Sequence, residues 1–189
     1  MISEITVRLT PKPELAQVVI ASFADVRKAG DAVASIIGAG IIPAGLEMMD
    51  KKAIHAVEPY VNAGYDMDAE AILLCESDGT PEEVAEEIGR ITAVLERSGA
   101  SAYCVSRTEA ERLKFWAGRK AAFPAVGRLT PDYLCMDGTI PRKRLAEMLQ
   151  EITVLSGKYD LRCANVFHAG DGNLHPLIMY DANQPGQLE

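Results

Sequence analysis

The chain has 189 residues, of which 48% are hydrophobic and 24% charged. That is enough for one compact domain burying roughly 70% of its unfolded surface, and the composition is not that of a disordered segment. A formal charge of −8 argues against general nucleic-acid affinity, which needs several cations set against phosphates. No apolar run approaches the roughly 20 residues that span a bilayer, and the first eight residues lack the basic-then-apolar order of a signal peptide.

In chain order, the alternation Ile5-Thr6-Val7-Arg8-Leu9 predicts a strand stopped at Pro11-Lys12-Pro13. The continuous apolar run Val18 to Phe23 suits a central strand. Asp25 to Ile37 reads as a helix, with Val26, Ala29, Val33, Ile36 and Ile37 on one side. Gly38 and Gly40 stop it, the wrong context for a dinucleotide-binding glycine loop. Ile41 to Met49 is extended, and Lys51 to Asn62 is a second helix carrying His55, which reads as structural. A strand over Ala71 to Glu76 precedes Thr80-Pro81-Glu82-Glu83, a cap residue, first-turn proline and glutamate that open a helix to about Arg97. The acidic run Glu82-Glu83 and Glu86-Glu87 reads as a solvated face near that helix's start. A strand at Ala102 to Ser106 completes strand-helix-strand for the second time.

The remainder adds a helix over Glu109 to Ala121, broken at Phe123-Pro124, a strand over Tyr133 to Asp137, a helix over Arg142 to Lys158, and a terminal hairpin. Together these predict a single α+β domain: a ferredoxin-like antiparallel sheet with helices packed on one face, plus the terminal hairpin. Cys75, Cys104, Cys135 and Cys163 each fall in or beside a strand-like run, with no Cys-x-x-Cys. They are expected as small buried hydrophobes, which fits a reducing cytoplasm.

The chemistry concentrates in His168-Ala169-Gly170-Asp171-Gly172-Asn173-Leu174-His175, which holds two of the three histidines. Strand-like runs flank it, and Asp171-Gly172 favours a two-residue hairpin turn. A hairpin centred there sets His168 opposite His175 on one face, with Cβ atoms roughly 4.5–5.5 Å apart. Two imidazoles so placed are candidates for one divalent ion at about 2.0–2.1 Å each. A second feature is a local charge excess: Arg112, Lys114, Arg119, Lys120 and Arg128 with no acidic residue among them, a candidate anion site. Arg119 follows Phe115-Trp116, and a guanidinium grips a carboxylate through two parallel hydrogen bonds.

The segment Asn165 to Pro176 resembles the cap domain of FAD-linked oxidases of the vanillyl-alcohol-oxidase type, which include glycolate oxidase and the D-lactate and D-2-hydroxyglutarate dehydrogenases. Pro43 to Asp50, Phe115-Trp116-Ala117-Gly118-Arg119-Lys120, Pro131-Asp132-Tyr133 and Met136 to Pro141 match as well. The resemblance spans essentially residues 1–189. It implies oxidation of a small 2-hydroxy acid with FAD as cofactor. His168 and His175 would ligate a divalent metal such as zinc as a Lewis acid. By the same resemblance Arg119 would hold the substrate carboxylate, Asn173 would contact substrate, and Asp171 would orient a histidine. It further implies partners: an FAD-binding domain absent from these residues and other oxidase subunits. A Gly-Glu-His-Gly motif, which normally supplies a third metal ligand and a catalytic histidine, is also missing. The expectation is a cap-domain portion that binds no FAD and turns over no substrate alone, and that exposes enough apolar surface to form a homodimer.

Two other readings stay open. One is a free-standing metal-dependent hydrolase using the histidine pair, with Asp171 or Asp181 as third ligand. The other is a non-catalytic ferredoxin-like module that binds a small ligand.

Overall fold

The computed structural model describes residues 2–9 and 11–188. Its first half contains β1 (Leu15–Phe23), α1 (Val26–Gly38), β2 (Gly45–Asp50), α2 (Lys51–Val61), β3 (Ala71–Gly79), α3 (Pro81–Arg97) and β4 (Ala102–Val105). The strands lie in the order β4-β1-β3-β2, every neighbour antiparallel. That is the ferredoxin-like arrangement expected of two strand-helix-strand units.

The second half contains α4 (Glu109–Lys120), α5 (Ala122–Val126), β5 (Asp132–Cys135), β6 (Gly138–Thr139), a 3₁₀ turn (Arg142–Arg144), α6 (Leu145–Lys158), β7 (Arg162–His168) and β8 (Asn173–Tyr180). β7 pairs with β2 and carries the sheet on as β2-β7-β8-β5, with β6 on β8, giving eight strands. The spatial order β7-β8-β5 reproduces β2-β3-β1 of the first half, so β5, α6, β7 and β8 repeat the path of β1, α1, β2 and β3 without a counterpart of α2.

Both faces of this sheet are covered. α1, α3 and α6 bury Val33, Ile36, Ile91, Leu95 and Leu149 against Val19, Leu73, Met48 and Phe167. The ferredoxin-like helices therefore share one face, as expected. α2, α4 and α5 fill the other with Ile54, Val57, Trp116 and Val126 against Ile72, Met49 and Val166. Burial on both sides explains why Val18 to Phe23 and Ile72 to Cys75 read as continuous apolar runs rather than alternating ones.

The helix boundaries follow local chemistry. Asp25 caps α1 by accepting from the Arg27 N–H at 2.8 Å. Asp50 caps α2 through the Ala53 N–H at 2.9 Å, and Asn62 closes α2 in a left-handed conformation. α3 carries the full reciprocal cap between Thr80 and Glu83.

Several expectations are corrected. Ile5 to Leu9 forms no strand: Ile5, Val7 and Leu9 point into solvent and pair with no strand of the described residues. Alternation alone did not supply a partner edge. Pro124 does not simply break the helix, because it lies in the first turn of short α5, where its missing N–H costs nothing. All four cysteines are free, yet only Cys75 and Cys163 are buried. Cys104 and Cys135 are exposed because β4 and β5 are the two outer strands.

Candidate substrate site

β7 and β8 form the hairpin, but in a different register from the one the Asp-Gly pair suggests. His168 faces Asn173, and His175 faces Val166. The turn holds four residues, Ala169 to Gly172, with the Asp171 N–H donating to His168 O at 3.1 Å and the Gly172 N–H to Ala169 O at 3.2 Å. Only Gly172 takes positive φ, at 72°. Four-residue loops are built around a type I turn, which asks for no positive φ at Asp171. His168 and His175 are therefore diagonal neighbours rather than opposed. They still share a face, with ring centroids 5.2 Å apart and ring planes at 87°.

That face is the one under α2, α4 and α5, since Val166, Leu177 and Met179 of the same strands pack there. The β2–β7 register pairs Met48 with Phe167. One residue further along, it brings Glu47 beside His168. Glu47 is a buried acid in a central strand, a position that demands partners. It has two: one carboxylate oxygen accepts from His168 Nδ1 and the other from Arg119 Nε, each at 2.8 Å. No role was assigned to Glu47 from the sequence. Its signal was an acid inside an otherwise apolar strand, Leu46-Glu47-Met48-Met49.

α4 is fastened over this site by its own arginines. Arg112 and Arg119 stand two turns apart on one side of the helix. Arg112 pairs with Glu76 at 2.7 Å, Arg119 with Glu47. Between them Trp116 lies against Gly45, where a Cβ would sit 3.1 Å from the indole ring. Gly118 abuts the Tyr65 ring, and the Tyr65 hydroxyl donates to Phe115 O. Burial pushes that phenol well above its ordinary pKa.

The local excess of positive charge expected between Arg112 and Arg128 is compensated at two of its five basic residues. Arg112 and Arg119 are ion-paired, and Arg128 stacks over Tyr60 at 5.2 Å. A basic run in sequence is not a basic surface when the sheet beneath supplies carboxylates.

The remaining expected residues fall as follows. His175 Nδ1 lies 3.9 Å from Cys135 Sγ and 3.7 Å from an Asp137 carboxylate oxygen. Burial, with Asp137 beside it, raises the Cys135 thiol. Asn173 stands next to His168, and its side-chain oxygen is buried without a hydrogen-bond partner among the described residues. Asp171 is exposed and bonds neither ring, so the carboxylate that holds His168 is Glu47. Asp181 lies past the far end of β8, about 20 Å of strand from His175, and accepts from Asn183 instead. His55, in α2, bonds Met67 O at 2.8 Å and takes no part.

A carboxylate only accepts, so His168 Nδ1 carries a proton, and in the neutral ring the lone pair is then on Nε2. That arrangement, an imidazole backed by a carboxylate, is how proteins prepare a histidine to ligate a metal. Two imidazoles at one place fit a divalent ion as a donor set. Among the described residues no group of three or more His, Cys, Asp or Glu is arranged to hold one. A hydrolytic centre made from this chain's own side chains therefore lacks its third ligand, whether Asp171 or Asp181.

Two cavities flank the site. One of about 330 Å³ opens beside Glu47 and His168, bounded by the 40–45 loop, Asp171 and Arg142. The other, about 350 Å³, lies on the opposite face between α6 and β8 and is lined by Met148, Leu155, Tyr159, Leu174 and Ile178. Only the first touches the polar cluster.

The chain belongs to the family described as FAD linked oxidases, C-terminal domain, which matches residues 12–189. It is 59% identical over 186 residues to the glycolate oxidase subunit GlcD of Escherichia coli (strain K12), covering 98% of this chain and 37% of that protein. The GlcD subunit of Bacillus subtilis is 34% identical, covering 100% and 40%. The mitochondrial cytochrome-linked D-lactate dehydrogenase of Arabidopsis thaliana is 26% identical, covering 99% and 33%. The chain thus spans well under half the length of these relatives. Among solved structures, p-cresol methylhydroxylase shares the fold with a TM-score of 0.68 at 14% identity, covering 93% of this chain and 41% of that one. No helix of the described residues is long and apolar enough to cross a membrane.

Proposed function

We propose that this chain is the substrate-facing portion of a flavin-dependent 2-hydroxy-acid oxidoreductase acting on glycolate, D-lactate or a similar small acid. It would complete the active site of a separate FAD-binding domain and be inactive alone. The observation that carries this reading is the Glu47 carboxylate gripping His168 and Arg119 together, in a chain 59% identical to a glycolate oxidase subunit.

Each residue has a defined task in that reading. His168, its tautomer fixed by Glu47, and His175 beside it would hold a divalent metal such as zinc, which supplies Lewis-acid polarisation of substrate oxygens when bound. Two protein ligands are one short of the usual catalytic zinc set, so the third would come from outside these residues. Asn173 has an unpaired acceptor suited to a hydroxyl proton. Arg119 would place its remaining N–H groups against the substrate carboxylate, although Glu47 already cancels its charge. The flavin would be bound by the companion domain and supplies the hydride acceptor. This chain binds and orients the acid.

The test is a cap exchange: the 186 matched residues replace the corresponding segment of E. coli GlcD, and glycolate-dependent dye reduction is assayed. Activity in the chimera, lost on His168→Ala or His175→Ala while flavin content stays stoichiometric, supports the reading. A folded, flavin-loaded chimera inert towards 2-hydroxy acids, or one indifferent to both substitutions, overturns it. The isolated chain is expected to purify without flavin absorbance.

A further inference from the structure

The site as described has no net cation for its anionic substrate. Arg119 is neutralised by Glu47, and that same carboxylate lies where an incoming acid must pass. A substrate carboxylate placed there meets repulsion unless a cation free to pair with it faces it.

The cavity beside His168 supplies one. Arg142 lines it together with Glu47, His168 and Asp171. Its stem lies against the hairpin turn: a Cβ on Gly172 would come within 3.6 Å of Arg142 Cγ. Arg112, Arg119 and Arg144 each pair with a carboxylate, whereas Arg142 forms no ion pair among the described residues. Local structure does not reward it either. It opens the 3₁₀ turn leading into α6, and a cation at the start of a helix is opposed by the dipole. The space is adequate, since about 330 Å³ is pocket-sized for a small ligand.

We propose that Arg142 is the anion-capturing residue of this site: it takes the carboxylate of a two- to four-carbon hydroxy acid in the cavity, with the hydroxyl end directed at His168. The proposal deepens the functional reading above and rests on it for the substrate class. A guanidinium fork holds a carboxylate through paired charge-assisted hydrogen bonds, and Arg142 has no ion-pair partner among the described residues to give up, although Asp171 lines the same cavity. Arg142 then sets affinity, while the Glu47–Arg119–His168 cluster sets orientation.

Glycolate titrated into the 189-residue chain, followed through the imidazole resonances by NMR, tests this directly. Arg142→Gln should weaken binding about tenfold or more. Lys143→Gln, which removes the same charge from a neighbouring residue that is exposed as Arg142 is but does not line the cavity, should stay within about twofold of the native chain. Three results would overturn the proposal: no glycolate binding by the native chain, native-like binding by Arg142→Gln, or equal losses in both variants. The two readings fail separately. Arg142-dependent glycolate binding alongside an inert cap-exchange chimera sinks the oxidoreductase reading and keeps the subsite. An active chimera whose KM ignores Arg142→Gln does the reverse.

Discussion

Replacing Glu47 by glutamine is the perturbation most sensitive to the site's architecture. It keeps the side chain's volume but removes the charge facing Arg119 and one of its acceptor oxygens. The side chains of Arg119 and Glu47 are 9% and 11% exposed, so solvent can do little to screen the loss. Breaking a buried pair by removing one partner costs about 3–5 kcal/mol, because the surviving charge is stranded. The lower end applies here, since glutamine can still accept one hydrogen bond. For a chain of this size about 3 kcal/mol corresponds to a fall in Tm of roughly 6–12 °C. Thermal and urea unfolding of the native chain, Glu47→Gln, Arg119→Met and the double variant form the assay. The double variant should be more stable than Glu47→Gln alone, since it no longer buries an unpaired guanidinium. A Glu47→Gln cost below about 1 kcal/mol, or strictly additive single effects, would refute the claim that this pair is a coupled buried unit.

Three other outcomes follow from the same structure. Gly172→Ala forces a side chain into positive φ and against Ile140 O. It should cost about 1–3 kcal/mol in urea unfolding and shift the His168 ring resonances; a neutral effect would contradict the four-residue turn. In the folded chain a thiol reagent should titrate Cys104 and Cys135 only, because burial pushes the Cys163 thiol up to about 12 and Cys75 higher still. All four should react in denaturant, and rapid labelling of Cys75 in the native chain would be inconsistent with its place in the core. Asp50 is held above its ordinary value of 3.8, burial outweighing the hydrogen bonds from Ala53 and Asn165. Its native form binds the proton more tightly than its unfolded form. Its contribution is therefore fully present below 3.8 and is lost as pH rises through the raised native value. Asp50→Asn should flatten that stretch of the stability profile, and an unchanged slope would remove the assignment.

Much of the fold was legible because local signals and burial agreed. Asp25, Asp50 and Thr80 stand where a capping side chain is needed, and α1, α2 and α3 begin directly after them. What failed were inferences that needed a partner distant in sequence. Ile5 to Leu9 alternates properly but no edge receives it. Cys104 and Cys135 sit in apolar-looking runs whose strands turned out to be the outermost two. The basic run from Arg112 to Arg128 could not be recognised as partly compensated, because Glu76 and Glu47, which pair with Arg112 and Arg119, lie on strands dozens of residues earlier.

The histidine hairpin shows why two side chains can share a face as expected when their register differs from the one expected. A two-residue turn at Asp171-Gly172 and the observed four-residue turn differ by a shift of two residues in the pairing. Side chains alternate with period two, so an even shift moves neighbours along the strand without exchanging faces. His168 and His175 therefore stay on one face in either register, and only their direct opposition is lost. What selects the longer turn is a contact outside the hairpin: the Gly170 N–H donates to Leu46 O at 2.9 Å, and a Cβ on Gly170 would sit 3.1 Å from the Leu46 Cβ. Docking the turn onto β2 draws the hairpin's end against the strand that carries Glu47. The same contact that defeats the local preference of Asp-Gly is thus the one that places His168 within hydrogen-bonding distance of its carboxylate.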